Sequence, residues 1–154
     1  MEPKTKIEAP KDSQELTITR EFDLPVHLVY RAYSEAELVE QWMGTKVIKL
    51  EHKNHGSFQF ETSNNGSVVF RCNGAIHQVK FNRRIIRTFE IENTPIGVQL
   101  EFLNFEELEN DKSKLSIHII YQSEKHRTEQ LKLPFSYGLN MAHNRLQEII
   151  SSIK

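Results

Sequence analysis

A period-two alternation of apolar and polar side chains, which runs for about eighty residues after Gly44, most constrains how this chain can fold. Successive side chains of a strand point to opposite faces of a sheet, so this period predicts strands with one buried face. Turn residues divide the stretch into the runs TKVIKLE, SFQFETS, SVVFRCNGAIHQVK, RRIIRTFEI, VQLEFLNFEEL and KLSIHIIYQ. Because short connections join consecutive runs, we expect neighbouring strands to pair antiparallel.

Two Asn-Gly pairs in this stretch predict different local structures. Asn65-Gly66 separates two runs, which is typical of a type I′ hairpin turn because both central residues of that turn need a positive φ. Asn73-Gly74 lies inside a long alternating run. A glycine there more often marks a bulge or a bend that curves the sheet.

Segments in which apolar residues recur at helical spacing come before and after this stretch of strands in the sequence. The strand ELTITREF is followed by two short helical segments, of which the first begins at Pro25 and the second ends at Gly44. Ser34 and Glu37 have the spacing of a capping box at the start of the second helix. After Pro134 the apolar residues predict one long amphipathic C-terminal helix; they are Leu139, Ala142, Leu146, Ile149, Ile150 and Ile153.

Together these elements predict an α+β fold. Residues 1–14 carry two prolines and scattered charge, so we expect a mobile N-terminal tail. Residues 15–154 have the length of a single domain. In that domain a curved antiparallel sheet of about six to seven strands wraps around the long C-terminal helix, and two short helices follow the first strand.

Charge and cysteine content exclude several classes of protein. The 20 Lys and Arg residues are balanced by 21 Asp and Glu residues, whereas nucleic-acid-binding domains usually carry a basic excess. The single cysteine, Cys72, cannot form an internal disulfide, and the first residues lack the apolar core of a secretory signal. No stretch approaches the ~18 apolar residues of a membrane span. We therefore expect a cytoplasmic protein without nucleic acid as a partner.

Few motifs indicate chemistry. His52 and His55 form an H-x-x-H pair at a strand end or turn, without a helical glutamate or a third ligand at diagnostic spacing, and are interpreted as solvated turn residues. Cys72 lies on an alternating strand and is interpreted as a small buried hydrophobe. The sequence contains no GxSxG, Walker loop or GxGxxG. It therefore predicts no catalytic residue, no metal site and no cofactor.

Aromatic residues are the remaining candidates for function. Trp42 ends the second short helix, and the strands carry Phe58, Phe60, Phe70, Phe89 and Tyr121. A sheet and a helix can trap these rings between them. The rings either fill a close-packed core or line a pocket between the sheet and the C-terminal helix. The sequence leaves both interpretations open.

The stretch ITREFDLPVHLVYRAYSEAELVEQWMG resembles the N-terminal signature of the helix-grip superfamily, which includes START and birch-pollen-allergen domains. More narrowly, it is similar to the C-terminal domain of the activator of the heat shock protein 90 ATPase, in a standalone, bacterial-type form. The resemblance spans about residues 16–153. Its matching residues are Arg20, Phe22, Pro25, Val29, Tyr30, Ala32, Tyr33, Ser34, Leu38 and Trp42, followed by Gly56, Gly74, Arg84-Ile85-Ile86, Thr88-Phe89, Leu146 and Ile149.

The resemblance implies a binding module that holds an apolar small molecule between the sheet and the C-terminal helix. Lipids, sterols, flavonoids and polyketide-like compounds are the implied ligand classes. The implied ligand-binding residues are Trp42, Phe58, Phe60, Phe70, Phe89, Tyr121, Leu139, His143 and Leu146. A chaperone is the alternative partner, as the family name suggests. An aromatase or cyclase-type enzyme is a further alternative, and it would need a buried His143 or Tyr121 as its acid or base.

The chain departs from the family pattern at positions that concern the shape of the pocket. These positions are Leu24, Met43, Phe81, Leu139 and His143. His143 lies four residues after Leu139 and therefore flanks the predicted apolar stripe. A histidine in such a position more often faces solvent.

Overall fold

The computed structural model describes residues 4–153, which form one antiparallel sheet and four helices. The strands are β1 (Lys6–Glu8), β2 (Glu15–Phe22), β3 (Lys46–Leu50), β4 (Ser57–Asn64), β5 (Ser67–Lys80), β6 (Arg84–Ile91), β7 (Val98–Leu108) and β8 (Lys112–Ile120). The helices are α1 (Val26–Ser34), α2 (Ala36–Met43), α3 (Glu124–Leu131) and α4 (Phe135–Ser151). The strand order is β1-β2-β8-β7-β6-β5-β4-β3, with every pair antiparallel.

The helices cover one face of this open, curved sheet. Strand β2 lies beside one edge strand and β3 forms the opposite edge, so α1 and α2 connect the two sides of the sheet. Helix α4 packs against both of them. This arrangement confirms the predicted α+β helix-grip fold, including the two short helices after the ELTITREF strand and the long C-terminal helix.

Two clusters of buried side chains form the core. The larger one joins the helices to the inner faces of β2, β7 and β8, and it includes Leu16, Leu103 and Leu146, each with no exposed surface. The smaller one joins Val39 of α2 to Phe58 and the neighbouring side chains of β4 and β5. Along β2, β7 and β8 the buried positions recur at every second residue, as the period of two predicts.

The two Asn-Gly pairs have different structures, as the sequence predicted. Asn65 and Gly66 join β4 to β5 with φ values of 53° and 81°, which is the positive-φ geometry of a type I′ turn. At Gly74 an added Cβ would lie 2.0 Å from the carbonyl oxygen of Thr88, so a neighbouring strand approaches too closely for any side chain. The register irregularity itself falls slightly later, between Ile76 and Gln78.

The N-terminal segment differs from the predicted tail. Residues 6–8 form β1, in which Ile7 pairs with Ile18 of β2. Farther along, Arg127 of α3 donates a hydrogen bond of 2.7 Å to the carbonyl oxygen of Pro10. Backbone pairing and this distant arginine hold the segment, and neither is visible as an apolar pattern. Residues 1–3 of the predicted tail lie outside the described residues.

Two helix predictions need correction. The predicted capping box is wrong, because α1 extends to Ser34 and the N-cap of α2 is Glu35, whose side chain makes no capping hydrogen bond. The carboxylate of Glu35 instead pairs with Arg31 one turn earlier, at 2.6 Å. Helix α3 was not predicted because its sequence, EKHRTEQL, has almost no apolar periodicity. Its start is capped by the Ser123 hydroxyl, which accepts from the backbone N–H of His126.

Candidate functional site

A cavity of about 310 Å³ lies between the inner face of the sheet and helices α2 and α4. Its walls are mostly apolar, and a few polar side chains are grouped within them. The lining residues are Ile18, Tyr33, Val39, Trp42, Met43, Phe60, Arg87, Phe89, Gln99, Glu101, Ile117, Ile119, Gln130, Phe135, Gly138, Leu139 and Ala142.

Strand and helix periods explain how the lining is built. On β6 and β7, residues of one parity face the helices, so Arg87 and Phe89 share the inner face with Gln99 and Glu101. On α4 the lining residues are Phe135, Gly138, Leu139 and Ala142, which are spaced at i, i+3, i+4 and i+7. One face of the first two turns of α4 therefore closes the cavity over the centre of the sheet.

The polar cluster of the cavity consists of Arg87, Gln99 and Glu101. Arg87 and Glu101 are directly opposite each other on β6 and β7, and the Nε–H of Arg87 donates to Oε1 of Glu101 at 2.9 Å. The Nε2 group of Gln99 donates to Oε2 of the same carboxylate at 2.7 Å. The side chains of Arg87 and Glu101 are only 14% and 7% exposed. Both oxygens of a buried carboxylate are thus hydrogen-bonded, as a buried ion pair requires.

Aromatic rings surround the cation of this cluster. The Cζ atom of Arg87 lies 5.1 Å from the ring centroid of Phe58 and 5.5 Å from that of Phe89. A guanidinium over aromatic faces is attracted by the negative face of each ring. These contacts, together with the ion pair, hold the Arg87 side chain beside the smaller core cluster, to which Phe58 and Phe89 belong.

Two phenols lie close to the polar cluster. Burial raises the pKa of Tyr33, which lines the cavity, and the positive charge of Arg87 opposes part of that shift. Burial and the negative charge of Glu101 raise the pKa of Tyr121, whose hydroxyl donates to Oε1 of Gln130. Both phenols are therefore neutral at neutral pH.

The nine residues implied by the family resemblance divide into two groups. Trp42, Phe60, Phe89 and Leu139 line the cavity. Phe58, Tyr121, His143 and Leu146 are buried but lie outside the lining, and Phe70 is half-buried against the smaller core cluster. The structure therefore realises both interpretations of the rings, since some pack in the core and others border the cavity.

His143 is buried rather than facing solvent. Its Nδ1 atom lies 2.7 Å from Oγ1 of Thr5, and its Nε2 atom lies 3.3 Å from the hydroxyl of Tyr33. Burial and the positive charge of Arg20 lower the pKa of His143 to about 3, so the imidazole is neutral. Thr5 belongs to the segment that the sequence assigned to a tail, which is why this polar partner could not be foreseen.

The sequence matches a known protein family over most of its length. The family described as Activator of Hsp90 ATPase homolog 1-like protein matches residues 23–151. The chain belongs to this family. A comparison with curated protein sequences found no match.

Solved structures share the fold of this family member at low sequence identity. Protein Ms6760 from Mycobacterium smegmatis superposes with a TM-score of 0.84 at 20% identity, covering 96% of each chain. A protein from Arthrobacter aurescens gives a TM-score of 0.85 at 15% identity, covering 96% of this chain and 91% of its own. A protein from Staphylococcus epidermidis gives a TM-score of 0.79 at 20% identity, covering 97% of this chain and 95% of its own. These likenesses establish the fold alone.

The site residues predicted from the family resemblance did not include the polar side chains that line the cavity. Tyr33, Gln130 and the polar cluster all line the cavity, although none of them was among the predicted site residues. A signal was present in the alternation itself. Glu101 has the same parity as the inward Leu103, and Arg87 the same parity as the inward Ile85. A charged residue at an inward position of a strand indicates either a buried pair or a site.

The histidine and cysteine residues considered for metal binding or nucleophilic chemistry lie outside the cavity lining. His52 is half-buried rather than solvated, because its Nε2 atom lies 2.6 Å from the hydroxyl of Tyr30. Burial raises the pKa of the Cys72 thiol to about 12, which agrees with its interpretation as a small buried hydrophobe. Between residues 4 and 153, no three or more metal-ligating side chains come together. Within the same range no helix combines the length and the hydropathy of a membrane span.

Proposed function

We propose that this protein is a small-molecule binding module whose ligand occupies the cavity between the sheet and α4. The cavity itself carries the proposal. Its volume of about 310 Å³ reaches the range of roughly 300–1,000 Å³ that is typical of ligand pockets. Its lining, apolar walls around a small polar cluster, is also the usual composition of such pockets.

The size of the cavity favours some ligand classes over others. A volume at the lower end of the range suits a compact ring system better than a long acyl chain. Trp42, Phe60 and Phe89 can contact flat rings in offset or edge geometry. Among lipids, sterols, flavonoids and polyketide-like compounds, the compact aromatic members therefore fit best.

Catalysis is less well supported than binding. An aromatase or cyclase would need His143 or Tyr121 as an acid or base at the cavity, and neither lines it. The imidazole of His143 faces Thr5 and Tyr33, and the Tyr121 hydroxyl is already bonded to Gln130. Both groups make structural contacts, which supports a role in holding the cavity rather than in proton transfer.

The binding proposal is tested by titration with a compact aromatic probe. Because Trp42 is the single tryptophan and lines the cavity, its indole N–H resonance is a local reporter. We expect a saturable shift of this signal with 2-naphthol. Ala142→Phe fills the cavity and should weaken binding at least tenfold. Met141→Phe, on the outward side of the same turn, is the matched control and should bind like the parent.

Two results would contradict the proposal. The first is the absence of a saturable shift with every compact aromatic probe. The second is equal affinity in the parent and in Ala142→Phe, once circular dichroism shows that the variant is folded. Either result would mean that the cavity does not hold the ligand.

A chaperone interaction is the second candidate, and one surface favours it. Four apolar side chains around the α3–α4 junction are substantially exposed: Leu131 (40%), Leu133 (50%), Tyr137 (69%) and Met141 (43%). Tyr137 and Met141 are one turn apart on α4 and share a face of that helix, and exposed apolar side chains grouped on one face commonly mark interaction surfaces. The test is the ATPase rate of heat shock protein 90 with the parent and with Leu133→Ser/Tyr137→Ser. A rate that the parent leaves unchanged would exclude this function.

A further inference from the structure

We infer that the polar end of the ligand is an uncharged group that both donates and accepts hydrogen bonds, such as a phenol or an alcohol, rather than a carboxylate or an amine. This inference rests on the proposed binding function of the cavity. It follows from the charges and the hydrogen-bonding capacity of the polar cluster, Arg87, Gln99 and Glu101.

The polar cluster is electrically balanced before any ligand enters. Arg87 and Glu101 form a one-to-one ion pair at 2.9 Å, and the third member, Gln99, is neutral. A ligand carboxylate would bring a second negative charge beside Glu101 and compete with it for Arg87. A ligand ammonium would bring a second positive charge beside Arg87. Each would leave one charge unpaired inside the protein, which is strongly unfavourable at low exposure.

The same cluster can still form hydrogen bonds with a neutral group. Each oxygen of Glu101 receives one hydrogen bond, from Arg87 or from Gln99, and a carboxylate oxygen has lone pairs for about two. A hydroxyl can therefore donate to Glu101 without displacing either partner. A guanidinium has five N–H donors, of which the Nε–H is used for Glu101, so the hydroxyl oxygen can accept from the same side chain.

The rest of the lining determines where the apolar body of the ligand lies. Phe89 follows Arg87 by two residues on β6, and Trp42 and Leu139 line the opposite helical wall. A flat ring can occupy the space between these walls while its substituent points to the polar cluster. The predicted class is thus a compact aromatic or alicyclic body that carries a hydroxyl group.

Three probes of equal ring size separate a hydroxyl group from a carboxylate and from no polar group: 2-naphthol, 2-naphthoate and naphthalene. Affinities are measured by calorimetry at pH 7 with the full chain. We expect 2-naphthol to bind at least tenfold more tightly than both naphthalene and 2-naphthoate. The hydroxyl gains hydrogen bonds to charged groups, whereas the carboxylate unbalances the cluster.

Two variants test whether the polar cluster causes this preference. Glu101→Gln keeps the side-chain size but leaves Arg87 without its counter-charge, so 2-naphthoate should gain at least tenfold in affinity. Arg87→Met/Glu101→Met removes both charges together, which proteins often tolerate well. In this double variant 2-naphthol should lose most of its advantage over naphthalene, because Gln99 is the one member of the polar cluster that remains.

The outcomes distinguish this inference from the proposed function. Binding of 2-naphthoate as tight as that of 2-naphthol in the parent would overturn the inference and leave the binding function standing. A preference for 2-naphthol that is as large in the double variant as in the parent would also overturn the inference. If none of the three probes binds, the binding function fails and the inference fails with it.

Discussion

Gly74 marks the position where the curved sheet leaves no room for a side chain. An added Cβ would lie 2.0 Å from the carbonyl oxygen of Thr88 and 2.5 Å from the Phe58 ring. The carbonyl belongs to the backbone of β6 and cannot rotate away. We therefore expect Gly74→Ala to lower the free energy of unfolding by about 1–3 kcal/mol in urea denaturation.

Gly138 is the matched control for this substitution. It lies in α4, and an added Cβ would meet no atom within 4 Å. Because alanine favours a helix interior over glycine, Gly138→Ala should raise the free energy of unfolding by about 0.5–1 kcal/mol. Opposite signs for the two variants would show that close approach decides the first effect. An equal decrease in the free energy of unfolding for the two variants would contradict this explanation.

His143 makes stability depend on pH. Its pKa is lowered to about 3 in the folded chain, mainly by burial, while an unfolded histidine titrates near 6.5. Between these two pH values the histidine is protonated in the unfolded chain but not in the folded chain. The free energy of unfolding therefore falls as the pH falls below about 6.5. From pH 7 to pH 5 the parent should lose roughly 1–2 kcal/mol more than His143→Gln, measured by urea denaturation at each pH.

An exposed histidine provides the control for the pH experiment. His27 lies on the solvent side of α1. The variant His27→Gln should therefore follow the parent from pH 7 to pH 5. If His143→Gln and the parent lose the same stability over this range, the buried imidazole does not cause the pH dependence.

At the scale of the element, α4 has two halves with different packing. Leu146 is fully buried in the larger core cluster, whereas Leu139 is partly buried and borders the cavity. Leu146→Ala leaves a new void in close-packed surroundings, so it should lower the free energy of unfolding by about 2–5 kcal/mol. Leu139→Ala only enlarges the existing cavity, so it should lower the free energy of unfolding by about 1 kcal/mol or less. Urea denaturation of both variants checks this; equal losses would mean that the cavity is filled by packing.

The sequence could predict the elements whose stability comes from a long apolar pattern. Strands β2, β4, β7 and β8 and helix α4 each bury one face against the core, so their periods of two and 3.6 appear directly in the residues. The hairpin at Asn65-Gly66 was predictable for a local reason, since its positive φ values select these residue types.

The elements that could not be predicted depend on contacts between distant parts of the chain. Strand β1 has three residues and is held by pairing with β2, which leaves no periodic signal. Helix α3 is almost wholly polar and is anchored by Arg127, which donates to the carbonyl oxygens of Pro10 and Glu15. The polar cluster likewise depends on the register of β6 and β7, which sets Arg87 opposite Glu101.

At the scale of the whole molecule, the fold joins a rigid half to a more open one. The C-terminal half of α4 is anchored by Leu146 and Ile150, which have no exposed surface. Before His143 no residue of α4 is fully buried: Phe135, Leu139 and Ala142 are partly buried, Gly138 is exposed, and all four border the cavity. A helix end that covers empty space has fewer packing contacts to hold it in place.

This difference should be visible in native-state hydrogen exchange followed by NMR. Amides of residues 139–142 and 147–150 all lie inside α4, beyond its unpaired first turn. We expect the first group to exchange at least tenfold faster than the second, since local opening over the cavity breaks less packing. Saturating 2-naphthol should slow the first group and leave residues 147–150 unchanged, because a bound ring supplies the missing contacts. Equal exchange in the two groups would contradict an opening at this end, and slowing spread over the whole helix would indicate global stabilisation instead.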